Sequence, residues 1–309
     1  MSITNNNKNI IQSLYTSKEI KKIFNRPVFI VSTPRSGSTM LFNLLSQSPD
    51  FWTIGGESHG VYNQFPYLKA ENENLDSGCL TKQHADNETS DSMRAIYLSA
   101  VRNRDNINYI SAVKSGSNER IRFLEKTPRN SLNIKFILQV FPDAKFIFLH
   151  RDARQNISSI IEAWNIGKQT GQFVTFTNLP DWPLKYWCLI LPPGWRKYKN
   201  SSIAEIAAFQ WKSCNDIILK NLSKIESDRW LSLTYQDLLD NPEKQLIRIC
   251  EFSGVKFDER LQNATKNKIP LSQTTVSEPH PEKWKRHEDE ILAILPQINN
   301  TIKKLSKLK

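Results

Sequence analysis

The chain predicts an α/β fold: a single domain with a central parallel sheet flanked by helices, and one inserted lid. Three observations carry this. Val28–Ser32, Arg122–Pro128, which runs into a loop, and Lys145–His150 read as strands, and helical stretches alternate with them, the pattern of parallel pairing with helices on both faces. Each run opens into a polar loop, and the loops at the carboxyl ends of strands are where such a sheet binds its ligand. The 309 residues, 39% of them hydrophobic, suffice for one large core.

Taken in order, residues 1–25 form a polar, then weakly helical, N-terminal extension ending at Asn25-Arg26-Pro27. The first strand follows, and a helix is expected from Thr39 to about Ser46, stopped by Ser48-Pro49. Phe51–Glu57 reads as a second strand closed by two glycines. Residues 69–92, rich in Asn, Asp, Glu, Ser and Thr, read as an exposed loop, and Met93–Arg102 as a helix. The third strand is followed by a helix over Asn130–Val140, ended near Pro142. The fourth strand is followed by a helix over Ala153–Trp164. Residues 165–200 break the pattern with Trp182, Trp187, Trp195 and four prolines, and are expected to form a lid or substrate wall. Ser201–Leu222 is helical, Trp230–Tyr235 a strand, and Pro242–Phe252 a helix stopped by Gly254. Residues 266–286 are irregular, and a terminal helix starts near His287.

Composition narrows the class. No run approaches a membrane span, and the first residues carry no signal-peptide core, so a cytoplasmic protein is expected. The four cysteines are scattered without a Cys-x-x-Cys pair, so no metal site is expected. The net charge of +11 fits a polyanionic ligand. Aromatic residues are not interleaved with basic ones as in RNA-binding proteins, so nucleic acid is not expected as a partner. Nothing in the sequence speaks to oligomeric state.

The chemistry concentrates after the first strand, in Ser32-Thr33-Pro34-Arg35-Ser36-Gly37-Ser38-Thr39. A tight loop of small residues leading into a helix grips a phosphate-type anion with backbone N–H groups, helix-terminal partial charge and hydroxyls. This makes the fold P-loop-like. The loop is not a Walker A loop, for it lacks the Gly-Lys-Ser/Thr ending and the four-residue spacer. The charge sits early, at Arg35, so a phosphate should be held without the magnesium apparatus of a kinase. A second strand–loop–helix unit, Lys145–His150 followed by Arg151-Asp152-Ala153-Arg154 and a helix carrying Ser159, offers another anion site.

Together the two units resemble the sulfotransferases that use 3′-phosphoadenosine-5′-phosphosulfate (PAPS). Pro34–Thr39 is similar to their 5′-phosphosulfate loop, and Arg151 with Ser159 to their 3′-phosphate motif. The resemblance spans Val28 to about Arg286. It is to the bacterial branch, close to the protein-tyrosine sulfotransferases and to sulfotransferase modules of polyketide and lipid pathways. It implies transfer of a sulfuryl group from PAPS to an acceptor hydroxyl by in-line displacement, leaving adenosine 3′,5′-bisphosphate, with fixed cations and no metal.

The resemblance also implies roles. Arg35, Ser36, Gly37, Ser38 and Thr39 would wrap the 5′-phosphosulfate. Arg151 and Ser159 would hold the 3′-phosphate, with Arg154 either on phosphate or in solvent. Glu57, in Gly55-Gly56-Glu57-Ser58-His59, would be the base, with His59 its rival. Lys126, in Leu124-Glu125-Lys126-Thr127-Pro128, would stabilise charge on the bridging oxygen; Asn130 would orient the acceptor. Tyr235 would contact the adenosine. Thr275, Ser277, Lys283 and Trp284 resemble the segment that folds back over the nucleotide, with Lys283 toward the 3′-phosphate, although the family's Lys-Gly-x-x-Gly run is absent. His150 reads as structural. The tryptophan-rich insertion suggests an apolar acceptor, either a small molecule or an acyl chain on a carrier protein. A glycan or a peptide tyrosine is also open. Two other readings stand beside this one: a P-loop kinase-like phosphotransferase, and a non-catalytic nucleotide- or nucleic-acid-binding protein.

Overall fold

Alternation of apolar side chains lays out two cores, one on each face of a sheet. The computed structural model describes residues 5–70, 75–116, 120–266, 275–278 and 280–308. Helices α1 (Asn5–Leu14) and α2 (Ser17–Ile23) lead into strand β1 (Val28–Val31). All four β1 residues are buried: Val28 and Ile30 face one core, Phe29 and Val31 the other, as a period of two requires. Helix α3 (Ser38–Leu45) follows the loop, then β2 (Phe51–Trp52), α4 (His59–Tyr62), α5 (Asn87–Ala100) and α6 (Tyr109–Lys114). Next come β3 (Arg122–Lys126), α7 (Ile134–Val140), β4 (Lys145–His150) and α8 (Ala153–Thr170). A hairpin, β5 (Val174–Thr177) with β6 (Tyr186–Cys188), precedes α9 (Ile203–Leu222) and β7 (Trp230–Thr234). Helices α10 (Tyr235–Asp240), α11 (Pro242–Ser253), α12 (Glu259–Lys266) and α13 (Glu288–Leu305) complete the chain.

The central sheet runs β2-β3-β1-β4-β7, and every pairing in it is parallel. The strand order changes direction around β1, so the loops after β1, β3 and β4 share one rim. Helices α3, α10, α11 and α12 supply one face, through Leu41, Leu45, Leu238, Leu246 and Leu261. Helices α1, α2, α5, α7, α8, α9 and α13 cover the other. Ser202 and Glu205 close a capping box at the start of α9.

Several boundaries differ from the sequence reading, each for a local reason. The second strand ends at Trp52, and Gly55, at φ +76°, turns the chain instead. The polar run before Met93 is no exposed loop. Asp86 caps α5 by accepting from Thr89 N at 2.7 Å, and Leu75, Leu80 and Ala85 are buried. Residues 71–74 of that run lie outside the described residues. The helix expected over Asn130–Val140 is a 3-10 turn, Pro128–Leu132, followed by α7. Asn130 and Asn133 break it, each turning its amide into buried hydrogen bonds. Helix α8 passes Trp164 and stops at Gly171, which takes the left-handed conformation at φ +78°. The irregular stretch 266–286 includes residues 267–274 and 279, which lie outside the described residues.

The insertion folds as the β5–β6 hairpin. Its tryptophans are not a binding surface: Trp182, Trp187 and Trp195 are buried edge-to-face against one another, and Trp164 joins through Trp187. Among the described residues no helix is long and apolar enough to cross a membrane.

Candidate active site

A cavity of about 530 Å³ opens on the rim where the loops after β1, β3 and β4 meet. The β1 loop holds its shape by backbone conformation. Arg35 and Gly37 both take positive φ, +69° and +92°, and Gly37 is the residue before α3. Gly37 cannot be replaced in place, since a Cβ there would lie 2.5 Å from the Tyr235 ring. From behind, α8 clamps the loop through Asn156, whose Nδ2 donates to Pro34 O at 2.9 Å and whose Oδ1 accepts from Ser36 Oγ at 2.9 Å. The Ser36 hydroxyl therefore points into the protein, and only its backbone can face an anion. Asn156 is fully buried and was not singled out in the sequence, where it is one more polar residue after Arg151.

Arg35, Gly37, Ser38, Thr39, Arg151 and Ser159 all line the cavity, as do Tyr235, Thr275, Ser277, Lys283 and Trp284. Arg151 donates to Arg35 O at 3.3 Å and to Gln155 Oε1 at 3.2 Å, and its guanidinium lies 4.5 Å from the centre of the Tyr235 ring. Arg35 rests over Phe173, at 4.8 Å. Burial lowers the pKa of both arginines, and the Glu162 carboxylate opposes that shift at each. Arg154 stays at the surface, beside Asp152 and 5.0 Å from the Trp284 ring centre.

On the other side, Glu57 stands between Lys126 and His59. Its Oε1 accepts from Lys126 Nζ at 2.5 Å and its Oε2 meets His59 Nε2 at 2.9 Å. Lys126, though almost fully buried, also donates to Thr39 Oγ1 at 2.9 Å, which joins this group to the β1 loop. Burial alone would raise the Glu57 pKa, but the His59 hydrogen bond and the Lys126 charge together lower it to about 2. An ionised Glu57 can only accept, so His59 Nε2 carries the proton of their bond and Nδ1 is the ring's acceptor atom.

Beneath them lies a polar group the sequence did not reveal. Glu125, fully buried, accepts from Ser58 Oγ at 2.6 Å and from Thr127 Oγ1 and Asn130 Nδ2. Ser58 N also donates to Thr127 Oγ1 at 2.7 Å. This fixes the residue between Glu57 and His59. Burial, the largest effect, raises the Glu125 pKa. Asn130 is spent on Glu125 and Tyr62, so it does not orient an acceptor. His150 is buried beside Phe148, and burial lowers its pKa to about 4.

The site fits a polyphosphorylated anion. Arg35 Nε and Ser158 Oγ are buried without a hydrogen-bond partner among the described residues, and both residues line the cavity. Ser158 is a second hydroxyl beside the predicted Ser159, and the Ser-Ser pair in the sequence was its signal. The opposite wall is apolar: Leu132, Phe173, Val174, Phe176, Leu189 and Ile190. Phe173 and Leu189 flank the hairpin in left-handed conformations, at φ +68° and +66°. No group of three or more His, Cys, Asp or Glu side chains placed to hold a metal occurs among the described residues.

Comparison with known proteins gives a consistent result. The model of a sulfotransferase family matches residues 27–191. Protein-tyrosine sulfotransferase A of Caenorhabditis elegans is 22% identical over 76% of this chain and 51% of its own length. The protein-tyrosine sulfotransferase of Drosophila melanogaster is 22% identical over 81% of this chain and 43% of its own. The chain thus spans about half the length of these curated relatives or less. Among solved structures, a sulfotransferase from Mycobacterium avium is similar in fold, with TM-score 0.54 and 15% identity, covering 96% of this chain and 81% of that one.

Proposed function

Since the chain belongs to the sulfotransferase family, we propose that it transfers a sulfuryl group from PAPS to the hydroxyl of an apolar or acyl-chain-like acceptor, free or carried on a protein. The observation that carries this reading is the convergence of two anion-gripping strand–loop–helix units on one cavity, with partnerless donors at Arg35 and Ser158. When bound, the donor supplies an activated sulfuryl group on a phosphate leaving group. Arg35 and the backbone N–H groups at Gly37–Thr39 would hold its 5′ end, and Arg151 with Ser158 and Ser159 its 3′-phosphate. Tyr235, packed between Gly37 and Arg151, would meet the nucleoside.

Lys126 is placed by Thr39 and Glu57 to face charge that develops at the loop. The acceptor proton goes to the Glu57–His59 pair. Glu57, held at about 2, is a weak base near neutrality, so it orients the ring and His59 receives the proton at Nδ1. The apolar wall from the hairpin supports the acceptor class.

The test is calorimetric titration with adenosine 3′,5′-bisphosphate, and separately with ATP and magnesium, on the wild type and Arg151→Ala. Tight binding of the bisphosphate, weak binding of ATP, and loss in the variant are expected. A wild type that ignores the bisphosphate would overturn the reading.

A further inference from the structure

Lys283, Ser277 and Arg286 all reach the same carboxylate, Glu162 of α8. Lys283 Nζ pairs with Oε2 at 2.6 Å, Ser277 Oγ donates at 3.3 Å, and Arg286 lies 3.8 Å from Oε1. Glu162 and Lys283 are 12% and 14% exposed, so their pair is shielded from solvent. Glu162 sits one helical turn beyond Ser158 and Ser159, the spacing that puts all three on neighbouring rows of one face.

The segment's own backbone does little to fix it. Among the described residues, the backbone hydrogen bonds of 275–287 stay within the segment, as from Lys283 to His280 and from Lys285 to Glu282. Its only regular structure is a 3-10 turn, Lys283–His287. Trp284 also packs against the main core and under Arg154 at the first turn of α8, and the 3-10 turn runs directly into α13. Yet Thr275, Ser277, Lys283 and Trp284 form one wall of the cavity. A wall without a ladder of its own must be held by side chains, and three of its polar side-chain contacts to α8 end on Glu162.

A carboxylate this close to an anion site invites the opposite reading. Glu162 would then be only a counter-charge to Arg35, Arg151 and Lys283, opposing an incoming phosphate. Geometry favours anchoring, because each Glu162 oxygen is already engaged by the segment. Resting on the donor site proposed above, we infer that Glu162 is a positioning residue: it pins Ser277 and residues 280–287 across the 3′-phosphate end of the cavity and so sets the preference for a 3′-phosphorylated nucleotide.

The two readings predict opposite signs. The experiment compares wild type, Glu162→Gln and Glu162→Ala by tryptic cleavage of the ligand-free protein at Lys283, Lys285 and Arg286. It also measures Kd for adenosine 3′,5′-bisphosphate and for adenosine 5′-phosphate. If Glu162 anchors the segment, both variants are cut faster there, and the preference for the bisphosphate falls about tenfold, the value of one charge-assisted hydrogen bond. Glu162→Ala should show the larger effect. Unchanged cleavage, or tighter bisphosphate binding in the variants, would overturn the inference. Loss of stability with an unchanged preference would also overturn it, by reducing Glu162 to a structural residue. If the wild type binds no bisphosphate, the donor assignment fails, while the cleavage arm still decides whether Glu162 holds the segment.

Discussion

His59 is half-exposed at the cavity while its partner Glu57 is drawn toward Lys126, and this asymmetry separates their tasks. If His59 takes the proton, His59→Gln should lower kcat by about 100-fold or more. Turnover is measured as bisphosphate release with an accepted hydroxyl compound. A variant that keeps the wild-type kcat would return the base to Glu57. A second histidine makes a stability prediction. His150 is buried with its pKa lowered from 6.5 to about 4, so the folded protein keeps it neutral while the unfolded chain protonates. Between those values the unfolded state binds more protons, and stability must fall as pH falls from 6.5 toward 4, by about 3 kcal/mol at the lower end. Urea midpoints at pH 7 and 5 should differ less in His150→Asn than in the wild type; equal differences would refute the assignment. Candidates of this kind could be picked out where the pattern is local: Arg35, Glu57, Arg151 and Ser159 follow a strand within a short loop or the helix after it, and Lys126 ends one. Asn156, Glu125 and Glu162 were not, since their partners are far away in sequence.

At the scale of elements, the hairpin and α8 depend on one close approach. A Cβ on Gly167 would lie 2.3 Å from Cys188 Sγ and 3.0 Å from Gln172 O. Gly167 thus lets α8 meet β6, whose partner strand β5 carries Val174 and Phe176 of the cavity wall. Gly167→Ala should destabilise the protein by about 1–3 kcal/mol despite the better helix propensity of alanine. Cys188→Gly in the same chain should recover most of that loss, because the sulfur is the nearest obstacle. Chemical denaturation of the double-mutant cycle measures this coupling, and strictly additive effects would disprove it. No residue pattern hints at this contact. Three tryptophans and four prolines in an aperiodic stretch resemble a surface lid, but aromatic residues pack edge-to-face without needing helical or strand periodicity. The parallel strands β1 and β4, in contrast, announced themselves through the apolar runs Val28–Val31 and Phe146–Leu149.

The whole molecule carries a net charge of +11, and its effects on fold and on ligand oppose each other. Like charges destabilise the compact state, so added salt should raise the unfolding temperature of the free protein by screening them. The proposed phosphate binding would draw on the same surplus: Arg35, Arg151 and Lys283 line one cavity, and Lys126 reaches it through Thr39. A ligand at 100 times its Kd adds about 2.7 kcal/mol to stability. Salt weakens the attraction between those cations and a polyanion, so it should shrink this increment while the baseline rises. Scanning fluorimetry in a salt series, with and without adenosine 3′,5′-bisphosphate, reads both trends at once. The two curves should approach each other as salt increases, and Arg151→Ala should bring them together at low salt. A ligand increment that ignores salt would mean that hydrogen bonds and stacking on Tyr235, not the convergent cations, hold the nucleotide.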